Sequence, residues 1–273
     1  MNGVAVTGGS AWRGAPLLMG VIGLAWLLAI GAELTGQVAW VHHHRLLVDG
    51  VAVWASLALF LVAWQVHIAA MMLPSTLPMV GLFNRASAGQ RYPGLARIGF
   101  LGGYLAVWTL FGLVALVGGA LLERVTLHWH WLLHHPEWLA GGVLVLAGAF
   151  QFSSLKERCL DKCRQPRAFL LNHYRQGMAG GFALGARHGL FCLGCCWALM
   201  LVMFVVGIAN LAWMAPLAAL MLYEKVARHG ARLVRPVGVA LILLGLLVIV
   251  EPAWLPGLTP GPGLHGIHLH GAH

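Results

Sequence analysis

The chain has 273 residues, of which 60% are apolar and only 9% carry a fixed charge. Soluble domains average about 25% charged residues, so this composition excludes a water-soluble fold. The formal net charge of +9 would suit a nucleic-acid binder, but the basic residues lie in short segments between apolar runs rather than in one patch. We therefore expect an all-α membrane protein that binds no nucleic acid.

Seven apolar runs approach the length that a helix needs to cross about 30 Å of hydrocarbon. These predicted helices 1 to 7 lie at about 15–33, 51–80, 97–122, 137–154, 188–208, 211–226 and 234–250. The first run is also compatible with a cleaved signal peptide, because small residues lie near its end. We expect one transmembrane helical domain over residues 1–250 and a flexible His/Gly/Pro-rich tail over residues 251–273.

The basic residues occur in alternate connecting segments. All but two of the 17 Lys and Arg residues lie before predicted helix 1 or between helices 2 and 3, 4 and 5, or 6 and 7. The exceptions are Arg45 and Arg124. Cytoplasmic loops are enriched in Lys and Arg, so this pattern places the amino terminus in the cytoplasm and the carboxyl terminus outside.

Histidine is concentrated on the opposite, outer side. Eleven of the 15 histidines fall there: His42, His43, His44, His128, His130, His134, His135, His265, His268, His270 and His273. Neutral imidazole binds divalent Cu, Zn or Ni, which favours capture of metal at the outer face. The alternative is a solvated surface that gains charge in an acidic medium, because free histidine titrates at about pH 6.5.

Predicted helix 5 carries the densest group of soft donor atoms. Cys192, Cys195 and Cys196 stand at i, i+3 and i+4, which places three sulfurs on one helical face. His188 lies one turn before Cys192, and Met200 lies one turn after Cys196. Thiolate and thioether ligands favour Cu(I), while imidazole widens the choice to zinc or iron. Cys and Met also pack as ordinary apolar residues, so packing is the alternative interpretation.

Predicted helix 2 contains the expected partner donors. His67 and Met71 share a face, Met72 is adjacent, and Pro74 and Pro78 follow. Each proline removes a backbone donor and clashes with the preceding turn, so the helix is expected to loosen there. A histidine inside the bilayer is costly without a partner, and either a metal ion or an interhelical hydrogen bond would satisfy it. By depth these donors come level with the cysteines, which predicts one shared metal site.

A second cysteine pair, Cys159 and Cys163, follows predicted helix 4 on the cytoplasmic side. If the helix continues, the i, i+4 spacing puts both thiols on one side, and Lys162 and Arg164 would favour thiolates. A reducing cytosol argues against a stable disulfide there. Both a role as metal-transfer ligands and a role as ordinary juxtamembrane cysteines stay open.

Motifs of nucleotide-driven or hydrolytic enzymes are missing from the sequence. It contains no P-loop, dinucleotide fingerprint, HExxH or GxSxG motif, so no catalytic residue is assigned. Glu224 and Lys225 close predicted helix 6 at the inner boundary. They are expected to pair locally or with a neighbouring helix, or the acid to relay protons.

Three segments resemble a bacterial family described as predicted metal-binding integral membrane proteins, some of whose members are labelled copper chaperones. These segments are MMLPSTLPM, AGAFQFSSLKERCLDKCRQP and GLFCLGCCWALMLVMFVVGIANLAWMAPLAALMLYEK, within roughly residues 51–235. The resemblance implies a multi-pass protein of the bacterial inner membrane. It also implies metal at Cys192, Cys195, Cys196, Met71 and Met72, with Cys159 and Cys163 as secondary ligands.

The sequence departs from the family pattern at two positions. His67 stands where a methionine is expected, and Ser154 stands where a proline is usual. The first departure would shift the metal preference from Cu(I) towards a harder ion.

These observations predict a protein that moves copper, or delivers it to a membrane cuproenzyme, without hydrolysing nucleotide. The expected partners are the lipid bilayer, the metal ion and either a cuproenzyme or a second copy of the chain. Two alternatives stay open. One is a structural subunit whose Cys and Met residues only pack, and the other is a thiol redox protein that uses Cys195 with Cys196 or Cys159 with Cys163.

The predicted orientation can be tested by labelling introduced cysteines in a cysteine-free variant. A cysteine placed next to His130 should react with an impermeant reagent in intact cells, and one next to Arg164 only after permeabilisation. The physical reason is the Lys and Arg enrichment of cytoplasmic loops. The reverse labelling pattern would overturn the orientation and place the histidine clusters in the cytoplasm.

Overall fold

The computed structural model describes residues 16–35, 53–206 and 210–251, and every regular element in those ranges is an α-helix. The helices are α1 (Pro16–Leu34), α2 (Val53–Met71), α3 (Leu73–Ser87), α4 (Pro93–His128), α5 (His130–His134), α6 (Pro136–Phe150), α7 (Ser154–Arg164), α8 (Pro166–His173), α9 (Gly177–Val206), α10 (Leu211–Val226) and α11 (Ala231–Val250). The all-α prediction is therefore confirmed for the described residues. The predicted tail and the histidines at positions 42–44 lie outside them.

Five helices are long and apolar enough to cross a membrane, namely α1, α2, α4, α9 and α11. Helices α6 and α7 meet at a bend of 64° and add a sixth span if the bent pair is counted as one. Helix α10 has 16 residues, fewer than the roughly 20 that a straight span needs. Five or six spans thus stand in the described residues against the seven predicted. The count of seven and the orientation stay predictions.

The predicted helix at 51–80 consists of two helices that meet at Met72. The break lies where the prolines predict an interruption, since Pro74 stands in the first turn of α3. Pro74 has no N–H to donate to the carbonyl four residues earlier, which belongs to Ala70. That carbonyl instead accepts a hydrogen bond from the Trp26 indole of α1 at 3.2 Å. The carbonyl freed by the break therefore has a partner on a neighbouring helix. The break also places the Met72 side chain at the junction of α2 and α3.

Helices α4 and α9 pack so closely that only glycine fits at their crossing points. A Cβ added at Gly99 or Gly103 of α4 would overlap the backbone of α9, and one at Gly181 or Gly185 of α9 would overlap the backbone of α4. The spacing of four residues on both helices allows backbones to approach in this way. This close packing brings the cysteine segment of α9 against the middle of α4.

A similar glycine contact joins α6 to α11, at Gly141 and Gly148 on one helix and Gly238 and Gly245 on the other. Beyond the bend, Ser153 caps α7 by accepting a hydrogen bond from the Leu155 amide at 3.1 Å. Such a cap satisfies one of the free N–H groups at a helix start. Helix α7 therefore begins as a new helix and carries its two cysteines back towards α9.

The tight crossing can be tested with two alanine substitutions on α4. Gly103→Ala should lower the free energy of unfolding by roughly 1–3 kcal/mol, because the added methyl group meets backbone that cannot yield. Gly118→Ala is the matched control, since nothing lies within 4 Å of a Cβ added there. Thermal unfolding in detergent measures both. Equal unfolding temperatures for the two variants would contradict the crossing.

Candidate metal centre

The three cysteines of α9 face the interior, and each is 1% exposed. The thiols of Cys195 and Cys196 donate hydrogen bonds to the Cys192 carbonyl, at 3.1 and 2.9 Å. The Cys196 sulfur lies 3.8 Å from the thioether sulfur of Met72, at the junction of α2 and α3. Two sulfurs that bind one ion at about 2.3 Å lie no more than about 4.6 Å apart. The separation of this pair is therefore compatible with a shared ion.

Lys225 of α10 reaches the same sulfurs with its ammonium group. Its Nζ donates to Cys192 Sγ at 3.1 Å, to Cys196 Sγ at 3.6 Å and to Met72 Sδ at 3.7 Å. The side chain is 5% exposed, and a buried ammonium needs an anionic partner. Of the three sulfurs that the ammonium contacts, only those of Cys192 and Cys196 can supply that negative charge. Sequence reasoning placed Lys225 at a helix end and missed this role, although a lysine in an apolar chain was the available signal.

The side chains of Cys192, Cys196, Met72 and Lys225 form the candidate metal centre. Tyr104 of α4 is a second residue of this centre that sequence reasoning missed. Its hydroxyl lies 3.3 Å from Cys192 Sγ and also hydrogen-bonds with the Thr76 side chain. Thr76 in turn donates to the Met72 carbonyl at 3.2 Å. A single tyrosine in an apolar helix carries no distinguishing pattern. Only the close crossing of α4 and α9 places it at the thiols.

The cysteines of α7 have different surroundings. Cys163 packs against the buried core that contains the three cysteines of α9, and its side chain interacts with that of Cys195. Cys159 instead packs on Gly194, where an added Cβ would lie 2.6 Å from its sulfur. The two cysteines of α7 thus have different neighbours, and both roles left open by the sequence stay predictions.

Helix α7 is held in place by two basic residues that reach α10. Lys156 Nζ lies 2.7 Å from Glu224 Oε2, with both side chains nearly inaccessible. Arg164 donates to the carbonyls of Glu224 and Arg228, at 2.5 and 3.0 Å. A buried ion pair needs such close geometry to offset its desolvation. These bonds position Cys163 relative to Lys225.

Four other predicted ligands are buried. The His67 ring stacks on Trp64 at 5.7 Å, and its Nε2 has no hydrogen-bond partner among the described residues. The His188 ring is stacked with Tyr104 at 5.9 Å. Met71 and Met200 lie in the same buried core as the cysteines. Metal binding by these four residues stays a prediction.

Two of the histidines predicted to lie at the outer face have hydrogen-bond partners of their own. His128 Nδ1 lies 2.7 Å from the Arg124 carbonyl, and His135 Nδ1 lies 2.8 Å from Glu137 Oε1. Within the described ranges, no group of three or more His, Cys, Asp or Glu side chains is arranged to hold a metal ion. This holds for the cysteines of α9 as well, so the cluster around Cys192 is a candidate metal centre only with the thioether of Met72 as an additional donor. Metal capture by the histidines stays a prediction.

The fold and the centre together define a class: a helical protein with several helices able to cross a membrane and a buried cluster of soft donor atoms. Comparison with family models matches residues 61–248 to the PpoB2 family, which is described as copper chaperone. The match covers more than half of the chain, so the chain belongs to this family, and the resemblance inferred from the sequence is confirmed. No curated protein and no solved structure was found to match it.

The placement of α7 predicts a disulfide that can be formed on purpose. In a variant that keeps only Cys163 and Cys195, mild oxidation should link α7 to α9, because the two side chains are in contact. The matched control moves the α7 cysteine by one residue, to the exposed position of Lys162, with Cys163→Ser. Mass spectrometry of the linked peptides measures the yield. Equal yields for both variants would contradict the position of α7.

Proposed function

We propose that the chain binds one Cu(I) ion at Cys192, Cys196 and Met72 and passes it on without nucleotide hydrolysis. Two thiols of α9 lie next to the thioether of Met72 at the α2–α3 junction, and the Cys196 and Met72 sulfurs are 3.8 Å apart. This arrangement is the observation behind the proposal. Family membership supports copper handling in general. The residues, the oxidation state and the route are inferences from the geometry.

The chemistry of the donors favours copper over zinc or iron. Thiolate and thioether sulfurs are soft ligands that suit Cu(I), whereas structural zinc sites use four thiolate or imidazole ligands. A thioether binds without losing a proton, so Met72 can take part in an interior that water does not reach. The imidazole of His67, which would favour a harder ion, stacks on Trp64 instead of joining the sulfur contacts.

The thiols form a continuous series that suits transfer of the ion. The side chain of Cys192 interacts with that of Cys196, Cys196 with Cys195, and Cys195 with Cys163. Cys163 is half-buried, whereas the cysteines of α9 are buried. A soft ion can thus exchange from one sulfur to the next and leave the core through α7, on the predicted cytoplasmic side.

Three of the remaining predicted ligands lie on the other side of the cluster in the proposed orientation. Met200 follows Cys196 along α9, and Met71 and His67 precede Met72 along α2. With the amino terminus inside, all three are closer to the outer face. They would then receive the ion before the thiols do, and His188 would lie at the inner end near the exit.

The cellular setting follows from the same orientation. We place the chain in the bacterial inner membrane, with residues 1–250 as one transmembrane domain and residues 251–273 as a tail outside. The partner that receives copper is a membrane cuproenzyme or a second copy of the chain. The five helices able to cross a membrane support this setting.

A thiol redox function is the second candidate. The contact between Cys163 and Cys195 favours it, because the two thiols lie on different helices and a disulfide between them would lock α7 against α9. Thiol exchange needs a thiolate that can reach its partner, and this pair is next to the half-buried α7 face. In this function the cysteines would exchange electrons with a dithiol partner rather than bind copper.

Copper binding is tested on the purified, reduced protein in detergent. The wild type should bind one Cu(I) per chain with sulfur-dominated X-ray absorption. Cys192→Ser with Cys196→Ser should reduce the copper content to near zero, because both charged ligands are lost. Cys159→Ser is the matched control and should keep the full copper content, since Cys159 packs on Gly194.

Two results would contradict the proposal. Full copper content in the double variant would remove the proposed centre and leave the interpretation that these residues only pack. A wild type that binds no copper, but whose Cys163 and Cys195 cycle between dithiol and disulfide with a dithiol partner, would establish the redox function instead.

A further inference from the structure

The two buried lysines near the centre, Lys156 and Lys225, have different kinds of partner. Lys156 and Glu224 neutralise each other across 2.7 Å. Lys225 contacts the sulfurs of Cys192, Cys196 and Met72, and no carboxylate lies within ion-pair distance of it in the described part of the chain. Of these three sulfurs, only the two thiols can become negative. The ammonium is therefore balanced by thiolate.

We propose that Lys225 makes the centre selective for a monovalent soft cation, because its ammonium offsets one of the two negative charges of the Cys192 and Cys196 thiolates. The inference deepens the proposed function and rests on it. Two thiolates, one ammonium and one monovalent ion sum to zero, and Met72 adds a ligand without charge. A divalent ion in the same place leaves one positive charge.

The charge count matters because the centre is closed to water. The three sulfur residues and Lys225 are all 5% exposed or less, and an unbalanced charge in such an interior has a large desolvation cost. The centre with a monovalent ion avoids this cost, and the centre with a divalent ion does not. Selectivity then comes from the charge that surrounds the ligands as well as from the softness of sulfur.

Replacement of Lys225 by a neutral residue of similar size should shift the preference of the centre from monovalent towards divalent ions. In Lys225→Met, a monovalent ion leaves one negative charge, and a divalent ion brings the thiolate pair to neutrality. Lys225→Arg keeps the positive charge and should keep the wild-type preference. Lys162→Met removes the same charge from the exposed face of α7 and is the control for a general loss of charge.

The experiment offers Ag(I) and Cd(II) together, at equal concentration, to each purified variant. Ag(I) is a soft monovalent probe and Cd(II) a soft divalent one. The metal content after desalting and the Cd–thiolate absorption band give the ratio of bound Cd to Ag. In Lys225→Met this ratio should rise by at least about tenfold over the wild type, since a unit charge at contact distance is worth more than that in a protein interior. Lys225→Arg and Lys162→Met should keep the wild-type ratio.

Each outcome bears on one of the two proposals. A wild type that binds neither Ag(I) nor Cu(I) contradicts the proposed copper site. A wild type that binds Ag(I) while Lys225→Met shows an unchanged ratio contradicts only the role of Lys225. If Lys225→Met does not fold, the wild type and Lys225→Arg decide: both must favour Ag(I) at least about tenfold, and equal uptake of the two ions overturns the inference.

Discussion

Two consecutive charged residues at the end of α10, Glu224 and Lys225, are both buried, and the arrangement of the centre depends on how they are satisfied. Glu224 draws in α7 through Lys156, at 2.7 Å. Lys225 points to the sulfurs of α9 and of the α2–α3 junction. Because a buried charge without a partner is strongly destabilising, these contacts hold four helical segments in one relative position. The contacts that balance the charges of Glu224 and Lys225 thus also bring the thiol-bearing helices together.

The backbone provides the room for this arrangement. Helices α4 and α9 can approach only because glycine stands at Gly103 and Gly185, and this approach puts Tyr104 against Cys192. The proline-induced break at Met72 lets one thioether turn into the core instead of continuing a regular helical face. A hydrogen bond from Trp26 satisfies the freed carbonyl. Small residues and prolines thus determine where the chemically active side chains meet.

Charge and softness act together at the proposed copper site. The sulfurs favour a soft metal, and the positive side chain among them favours an ion of low charge. In the proposed function, copper would be held in this buried interior and released through the neighbouring thiols, from Cys192 to Cys163. Family membership agrees with copper handling. The transfer of copper along the thiols is part of the proposed function.

Much of the helical content followed from the sequence, since long apolar runs predict helices regardless of their partners. The bounds of α1, α10 and α11 differ from the predicted ones by no more than a few residues. The two helices within 51–80 and the bend before α7 were harder to place, because proline effects and caps depend on neighbours. Helix α10 has the 16 residues that the sequence predicted for it, fewer than a straight span needs.

The sequence by itself determined the all-helical class, the family and the shared face of the three cysteines on α9, because each depends on composition or on spacing along one helix. The tertiary structure decided which side chains from other helices complete that face. It selected Met72 and Lys225, brought in Cys163, and left His67 against Trp64. Contacts between helices depend on crossing points and on the pairing of buried charges, and neither property is encoded in the periodicity of any single segment.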